Sequence, residues 1–388
     1  MPVSIDPFKT AAQQTYQQLK AAFPSEQYFW RCGHSFDTIV DYFTRIDPSD
    51  AKNFATVAIN MYNSQSGAWY DDFGWWGISG LKASEAGIFG SNDGVFASIA
   101  TACWTQMLNN APYGWQRADQ KTYAPYAPRV DGGVWNHTVD GGCHPGGPDK
   151  LCGRQNTVTN GLYLVLAQRL SLDGKLPPDP KYRLAANQEY HFLKTWFDLP
   201  LIKPAMVLMN NYLPGRAVVR ERVSTFKQLT LSIPAATDPA FRSDLAWAGD
   251  QGLILGGLVD RMRIVGKASP EYPELLATAR KLMAGTMDYL TAPTTEPGIL
   301  KPWYPDRSPG GDDSDYWTGP AVYMRYLLNA FERDDLRADL LAPAYQTFIK
   351  KAAEFAMTHT PQSNDTVVDL TNDLAALVAA CVILAADN

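Results

Sequence analysis

Apolar residues recur along this chain at the i, i+3, i+4 spacing of helices, and few segments alternate with period two. The spacing predicts helices over 7–22, 34–45, 51–63, 72–89, 92–109, 155–172, 179–197, 245–265, 273–291, 315–332, 336–358 and 367–386. In the second, Phe36, Ile39, Val40 and Phe43 share one face. In the fourth, Ser79, Gly80, Ala83 and Ala86 make a small-residue face suited to close helix packing. Three stretches break the pattern. Residues 110–154 turn to Gly, Pro, Tyr and polar residues, a loop length that in compact domains usually serves function. Residues 198–244 carry few helix signals and one β-leaning run, Ala217-Val218-Val219-Arg220, which predicts a short hairpin. Residues 298–311 are rich in Pro and Gly and hold Trp303 and Tyr304.

About twelve helices with no linker between two halves predict an all-α chain. One (α/α)6 barrel, a toroid of paired helices over residues 1–388 with long cleft-lining loops, fits that count. Such architectures bury a shared core that no single pair could bury alone. A two-domain helical protein is the alternative.

Composition narrows the function classes. The chain has 388 residues and is 46% hydrophobic, enough for a large core. Basic residues number 34 and acidic 40, with no Lys/Arg cluster, so no nucleic-acid partner is expected. No run of about 18 apolar residues stands out, so no membrane span is expected. A monomer without metal or cofactor is the expectation. Residues 1–20 lack the basic start and apolar core of a signal peptide, which leaves a cytoplasmic protein or a mature form without its leader. Five cysteines leave at least one unpaired. Cys32, Cys103 and Cys381 read as buried thiols, whereas Cys143 and Cys152 bracket a loop and a local disulfide is expected there.

Aromatics reach 12%, with 11 Trp and 19 Tyr. They are densest around Trp69-Tyr70-Asp71-Asp72-Phe73-Gly74-Trp75-Trp76-Gly77. Flat rings suit the apolar faces of sugars, and paired carboxylates suit acid/base work on a glycosidic bond. The simpler reading is a helix start, with an Asp cap followed by core tryptophans.

Other stretches tip the balance. Asp71-Asp72-Phe73-Gly74-Trp75-Trp76-Gly77 resembles the D-D-x-x-W-W motif of glycoside hydrolase family 76, the endo-α-1,6-mannanases. Asp131-Gly132-Gly133-Val134-Trp135 is similar to that family's Gly-Gly-x-Trp loop. Arg154 to Asn160 resembles its K-N-x-x-x-N element, and Asp250 to Leu258 its N-Q-G-x-x-I-G-G-L helix. Asp315-Tyr316-Trp317-Thr318-Gly319 sits where the family carries an acidic residue before F-K-G. The match spans roughly residues 53–333. Departures fall at Asn136, where the family has Trp, at Asp250, where it has Asn, and at Thr318, where it has Lys.

The resemblance implies a retaining hydrolase of α-mannan-type glycans, secreted or periplasmic, with an oligo- or polysaccharide substrate. Asp71 would be the nucleophile and Asp72 the general acid/base. Trp69, Tyr70, Trp75, Trp76, Trp135, Asn156, Asn160, Gln251, Trp303 and Asp315 are the candidate substrate-binding residues. Asp71, Asp72, Trp135, Asn156, Gln251 and Asp315 should meet at one open end. Capping or interhelical bonding is the competing reading for Asn156, Asn160 and Gln251. Two other functions remain open. A sugar epimerase or isomerase would need His bases, and only His34, His137 and His144 lie near candidate loops. A non-catalytic glycan-binding protein would keep the barrel and lose the chemistry.

Overall fold

The structure is a computed structural model. It describes residues 4–110, 133, 134, 136, 156–176, 178–198, 209–213, 215–221, 245–291, 299–304, 313–361 and 365–387.

Thirteen α-helices are present among the described residues: α1 (Asp6–Ala22), α2 (Phe29–Arg45), α3 (Ala51–Ser64), α4 (Tyr70–Ala86), α5 (Asp93–Asn110), α6 (Thr157–Leu172), α7 (Pro180–Asp198), α8 (Ala248–Val265), α9 (Tyr272–Leu290), α10 (Gly319–Phe331), α11 (Asp334–Leu340), α12 (Pro343–Thr358) and α13 (Thr366–Ile383). Six of them, α2, α4, α6, α8, α10 and α13, pack each against the next, and α13 returns to α2 to close a ring. The outer layer packs on this ring, α5 on α4, α7 on α6, α9 on α8, and α1 and α12 on α13. This is the all-α barrel that the periodicity predicts.

Two boundaries differ from the expectation at a proline. The helix predicted over 336–358 is two helices, α11 and α12, because Pro343 has no N–H to continue α11 and opens α12 instead. The helix predicted from 315 begins as a 3-10 turn, Asp313–Thr318, and becomes α-helical at Gly319, with Pro320 in the first turn. A third difference lies at the front of α2, which starts at Phe29, five residues earlier than the spacing suggests.

Close approach within the ring depends on small residues. A Cβ on Gly252 of α8 would lie 2.8 Å from the Tyr323 Cα of α10, and one on Gly74 of α4 would lie 2.7 Å from the Leu162 Cβ of α6. The inner helices are therefore buried nearly all round. Among the described residues one helix, α13 with its C-terminal extension, Thr366–Ala386, reaches a mean hydropathy of 1.9 and is long and apolar enough to cross a membrane by length and composition. The span is mostly buried as a wall of the ring.

Strand structure is slight among the described residues. β1 (Met209–Leu213) and β2 (Arg216–Val219) form the antiparallel hairpin expected around Val218. β3 (Ala246–Trp247) and β4 (Trp303–Tyr304) pair antiparallel, with Trp247 opposite Trp303. This second pair ties Trp303 and Tyr304 to the start of α8.

The inner helices are parallel, so their ends collect different chemistry. The C-terminal halves of α2, α4, α6, α8 and α10 surround one cavity, lined by Asp37, Asp41, Lys82, Arg169, Arg263 and Arg325 among others. Lys82 bridges Asp37 at 2.8 Å and Asp41 at 2.6 Å, Arg325 meets Asp37 at 3.0 Å, and Arg169 meets Asp260 at 2.8 Å. Burial would raise the Asp37 carboxyl, but Lys82 and then Arg325 outweigh it and hold it well below the usual carboxylate range. Paired buried charges plug this end of the barrel.

Candidate active site

The N-terminal ends of the same helices open on a cleft of about 560 Å³. Asp71 and Asp72 from α4, Asn156 and Val158 from the start of α6, Trp247 just before α8, and Asp315 and Tyr316 from the turn before α10 all line it. Asp72 and Asp315 thus share one end, as expected.

The two aspartates play different local parts. Asp72 is buried, and its Oδ2 accepts hydrogen bonds from the N–H groups of Ala68 at 2.7 Å and Trp69 at 3.0 Å. This is the reach-back half of a capping box; the indole at the N-cap has no acceptor, so the reciprocal half is absent. The capping role therefore holds for Asp72, and it fixes the carboxylate on the cleft floor. Asp71 is partly exposed to the cleft, yet its Oδ1 is shielded and has no hydrogen-bond partner. Burial first, and the neighbouring Asp72 charge second, raise the Asp71 carboxyl well above its usual range. Asp315 adds to the rise, and the backbone N–H groups of the helix start oppose it. The pair is two interacting carboxyls in a partly desolvated cleft, which suits the sharing of one proton.

Trp69 lines the cleft beside them. Trp75 forms its floor and packs on Trp30 at 6.2 Å and edge-on to His34 at 5.4 Å. Asn156 lines the cleft and also caps α6, accepting from the Thr159 N–H at 3.2 Å. Asp315 is 61% exposed at its side chain and is held by Arg31 at 3.2 Å.

Five candidate binding residues lie outside the cleft lining. Trp76 is fully buried and spends its indole N–H on the Phe29 carbonyl at 2.7 Å. Tyr70 is buried in an apolar cluster with Trp75 and Trp104. Asn160 is fully buried; its amide donates to the carbonyls of Val134 and Asn156 and accepts from the Val134 N–H. Gln251 is likewise saturated by Val219 and Trp247. These two amides are spent on neighbouring backbone. Trp303 stands behind the wall, its ring 6.1 Å from Tyr316 and 5.2 Å from Trp317. Trp135, His137, His144 and the pair Cys143 and Cys152 lie outside the described residues. Cys32, Cys103 and Cys381 are buried free thiols, as expected.

The cleft also contains residues that the motif reading passed over: Gln27, Tyr28, Trp30, Glu221, Trp247 and Tyr316. Glu221 is a buried carboxylate whose Oε1 accepts from the Tyr316 hydroxyl at 2.9 Å. The run Tyr28-Phe29-Trp30 carried a signal, an aromatic cluster at a helix start like the one at Trp69. Glu221 carried none, because nothing near it in sequence marks a site. His34 is fully buried below Trp75, with Nδ1 3.2 Å from Arg325, and burial with that cation keeps its imidazole neutral. It does not reach the cleft lining. Among the described residues, no group of three or more His, Cys, Asp or Glu is placed to hold a metal.

No protein-family model matches the chain, and no curated sequence is similar to it. Solved structures do match. The GH76A α-1,6-mannanase from Salegentibacter sp. HEL1_6 superimposes with a TM-score of 0.60 at 15% identity, over 97% of this chain and 99% of that one. An inactive variant of that enzyme with two adjacent aspartates replaced by asparagine, in complex with α-1,6-mannotriose, gives 0.58 at 15%, over 97% and 99%. The GH76 α-mannanase BT2949 from Bacteroides thetaiotaomicron gives 0.59 at 11%, over 98% and 97%. Dfg5 from Chaetomium thermophilum, in complex with glucosamine, gives 0.58 at 15%, over 92% and 81%. At these identities the likeness is one of architecture: the chain shares its helical barrel fold with the glycoside hydrolase family 76 structures.

Proposed function

We propose that the chain is a retaining glycoside hydrolase of α-mannan-type glycans, acting as one catalytic domain. The observation that carries this reading is the interacting pair Asp71 and Asp72 on the floor of a cleft walled by Trp30, Trp69, Trp75 and Trp247. The adjacent aspartates of the Salegentibacter mannanase, whose replacement leaves an inactive protein in complex with mannotriose, support it from outside.

In the implied division of labour, the Asp71 carboxylate attacks the anomeric carbon and forms a glycosyl ester. Asp72 gives its proton to the leaving oxygen as the glycosidic bond breaks. Asp72 then takes a proton from water, which attacks the same carbon and frees Asp71. Burial and the Asp72 charge favour the proton on Asp71. Turnover requires it on Asp72 once the glycosidic oxygen arrives, and two coupled carboxyls allow that exchange.

Fold alone does not choose a reaction. An epimerase is disfavoured by His34, which is locked under Trp75 beside Arg325. The test is reducing-end release from a panel of α-mannans, with mannose and mannobiose assayed for epimerisation. Release that disappears in Asp71→Asn is expected. Epimerised product, or binding without cleavage in the wild type, would overturn the proposal.

A further inference from the structure

A second cleft adjoins the reacting cleft, and the reaction proposed above does not use it. It encloses about 320 Å³ and shares Gln27 and Tyr28 with the reacting cleft. Arg31 stands between the two. Its guanidinium, only 5% exposed, holds Asp315 of the reacting cleft at 3.2 Å and Asp365 of the second at 3.3 Å.

Tyr28 lies over that guanidinium, 4.6 Å from ring centroid to Cζ. A cation bound on both sides by carboxylates cannot turn away, so it backs the ring firmly. The backbone carrying the ring is held as well: Glu26 Oε1 accepts from the N–H groups of Gln27 at 2.9 Å and Tyr28 at 3.0 Å. Yet Tyr28 is 51% exposed, a large aromatic left in solvent at the junction of two clefts. With one face covered by Arg31, that exposure belongs to the other face and the ring edge. Asp365 precedes α13 but makes no side-chain cap bond, and its side chain remains 32% exposed.

Asp315 and Asp365 flank Arg31 and Glu26 lines the second cleft with it, so among the described lining residues carboxylates outnumber the cation, which disfavours an anionic ligand. A flat ring with acceptors beside it suits an uncharged polyol with one apolar face. We propose that the second cleft is an outer subsite for a further hexose unit of the same glycan, stacked on Tyr28 and donating hydroxyls to Asp365. This inference rests on the glycan reading above and extends it: the protein should prefer chains long enough to span both clefts.

The experiment measures kcat/KM on a ladder of α-1,6-mannooligosaccharides and reads, for each variant, the ratio between the longest and the shortest cleaved chain. That ratio cancels damage common to all substrates. Tyr28→Ala should lower it by roughly two- to tenfold, the range of one aromatic stacking contact, and Tyr28→Trp should restore it. Ser25→Trp, which fills the second cleft from its rim, should lower it similarly. A ratio unchanged in Tyr28→Ala and Ser25→Trp overturns the subsite while leaving the hydrolase reading intact. If the wild type cleaves no mannan, the hydrolase reading fails, and the subsite is judged by calorimetry with mannohexaose. Weaker binding in Tyr28→Ala than in wild type supports it; equal binding, or none to either, overturns it.

Discussion

The side-chain amide of Gln251 and the backbone of Val219 exchange two hydrogen bonds of 2.7 Å each: the Val219 N–H donates to Oε1, and Nε2 donates to the Val219 carbonyl. Asn160 grips Val134 in the same way, at 2.8 and 3.0 Å. Each amide stands on the start of an inner helix and does for a rim segment what a neighbouring strand would do. Val219 leads into Glu221, a wall of the cleft. The amides of the motif therefore build the site at one remove.

Gln251→Ala should accordingly act on stability as well as on activity. It leaves the buried N–H and C=O of Val219 without partners, at about 1–3 kcal/mol for each. Gln251→Glu should be no milder, since it puts an oxygen where Nε2 meets the carbonyls of Val219 and Trp247. Urea unfolding checks this. Wild-type stability with only a raised KM would mean that the amide contacts sugar instead.

Asp71→Asn should remove hydrolysis and raise the Tm at neutral pH. The folded chain holds the Asp71 carboxyl above its ordinary range, so it binds that proton more tightly than the unfolded chain does. The wild type therefore loses stability as pH rises from the ordinary carboxylate range through the raised folded value. Asparagine abolishes that dependence. The gain in Tm over wild type should shrink as pH falls to about 4, the ordinary carboxylate value. Thermal melts across pH test the sign, and a variant less stable than wild type at pH 7 would refute it.

For Asp72, fold and chemistry can be separated. Asn keeps an oxygen to accept from Ala68 and Trp69, so Asp72→Asn should fold normally and lose activity on natural glycans. On an aryl mannoside, whose leaving group needs no proton, the first step should recover in part. Asp72→Ala should lose the cap too, costing about 0.5–2 kcal/mol. Equal loss of the Asn variant on both substrate types would assign the proton transfer to another group.

At the opposite end, Lys82→Met leaves Asp37 and Asp41 buried without their shared cation. Arg325 still meets Asp37 at 3.0 Å and Arg45 meets Asp41 at 3.2 Å, so the expected loss lies below the about 3–5 kcal/mol of a fully broken buried pair. Asp37 titrates below its ordinary value when folded, so its contribution is full above that value and fades as pH falls towards the lowered one. The difference between Lys82→Met and wild type should be largest above about pH 4 and narrow in acid. Denaturant titrations at pH 3 and pH 7 decide it.

The helical repeat and the carboxylate pair were legible in the chain because both are local. Apolar spacing marks a helix within a few turns, and Asp71, Asp72, Trp69 and Trp75 sit together in one stretch that the fold only had to bring to the open end. Local signals also misplaced some residues. Trp76 and Tyr70 share the aromatic stretch with Trp75, but the turn of α4 sends Trp76 to the Phe29 carbonyl and Tyr70 into the packed layer around Trp104. Pro343 was visible and its consequence was not, since a long apolar spacing runs through it.

The rest depended on the ring closing. Closure sets Asp315 beside Arg31 across 284 residues, brings Glu221 to Tyr316 across 95, and stacks Tyr28 over a guanidinium that Asp365 holds across 334. Closure also decides that Asn160 and Gln251 spend their amides on Val134 and Val219. Such partners share no period and no neighbouring motif. They meet because six parallel helices start at one end, and only the packed barrel determines which of those starts face the same water.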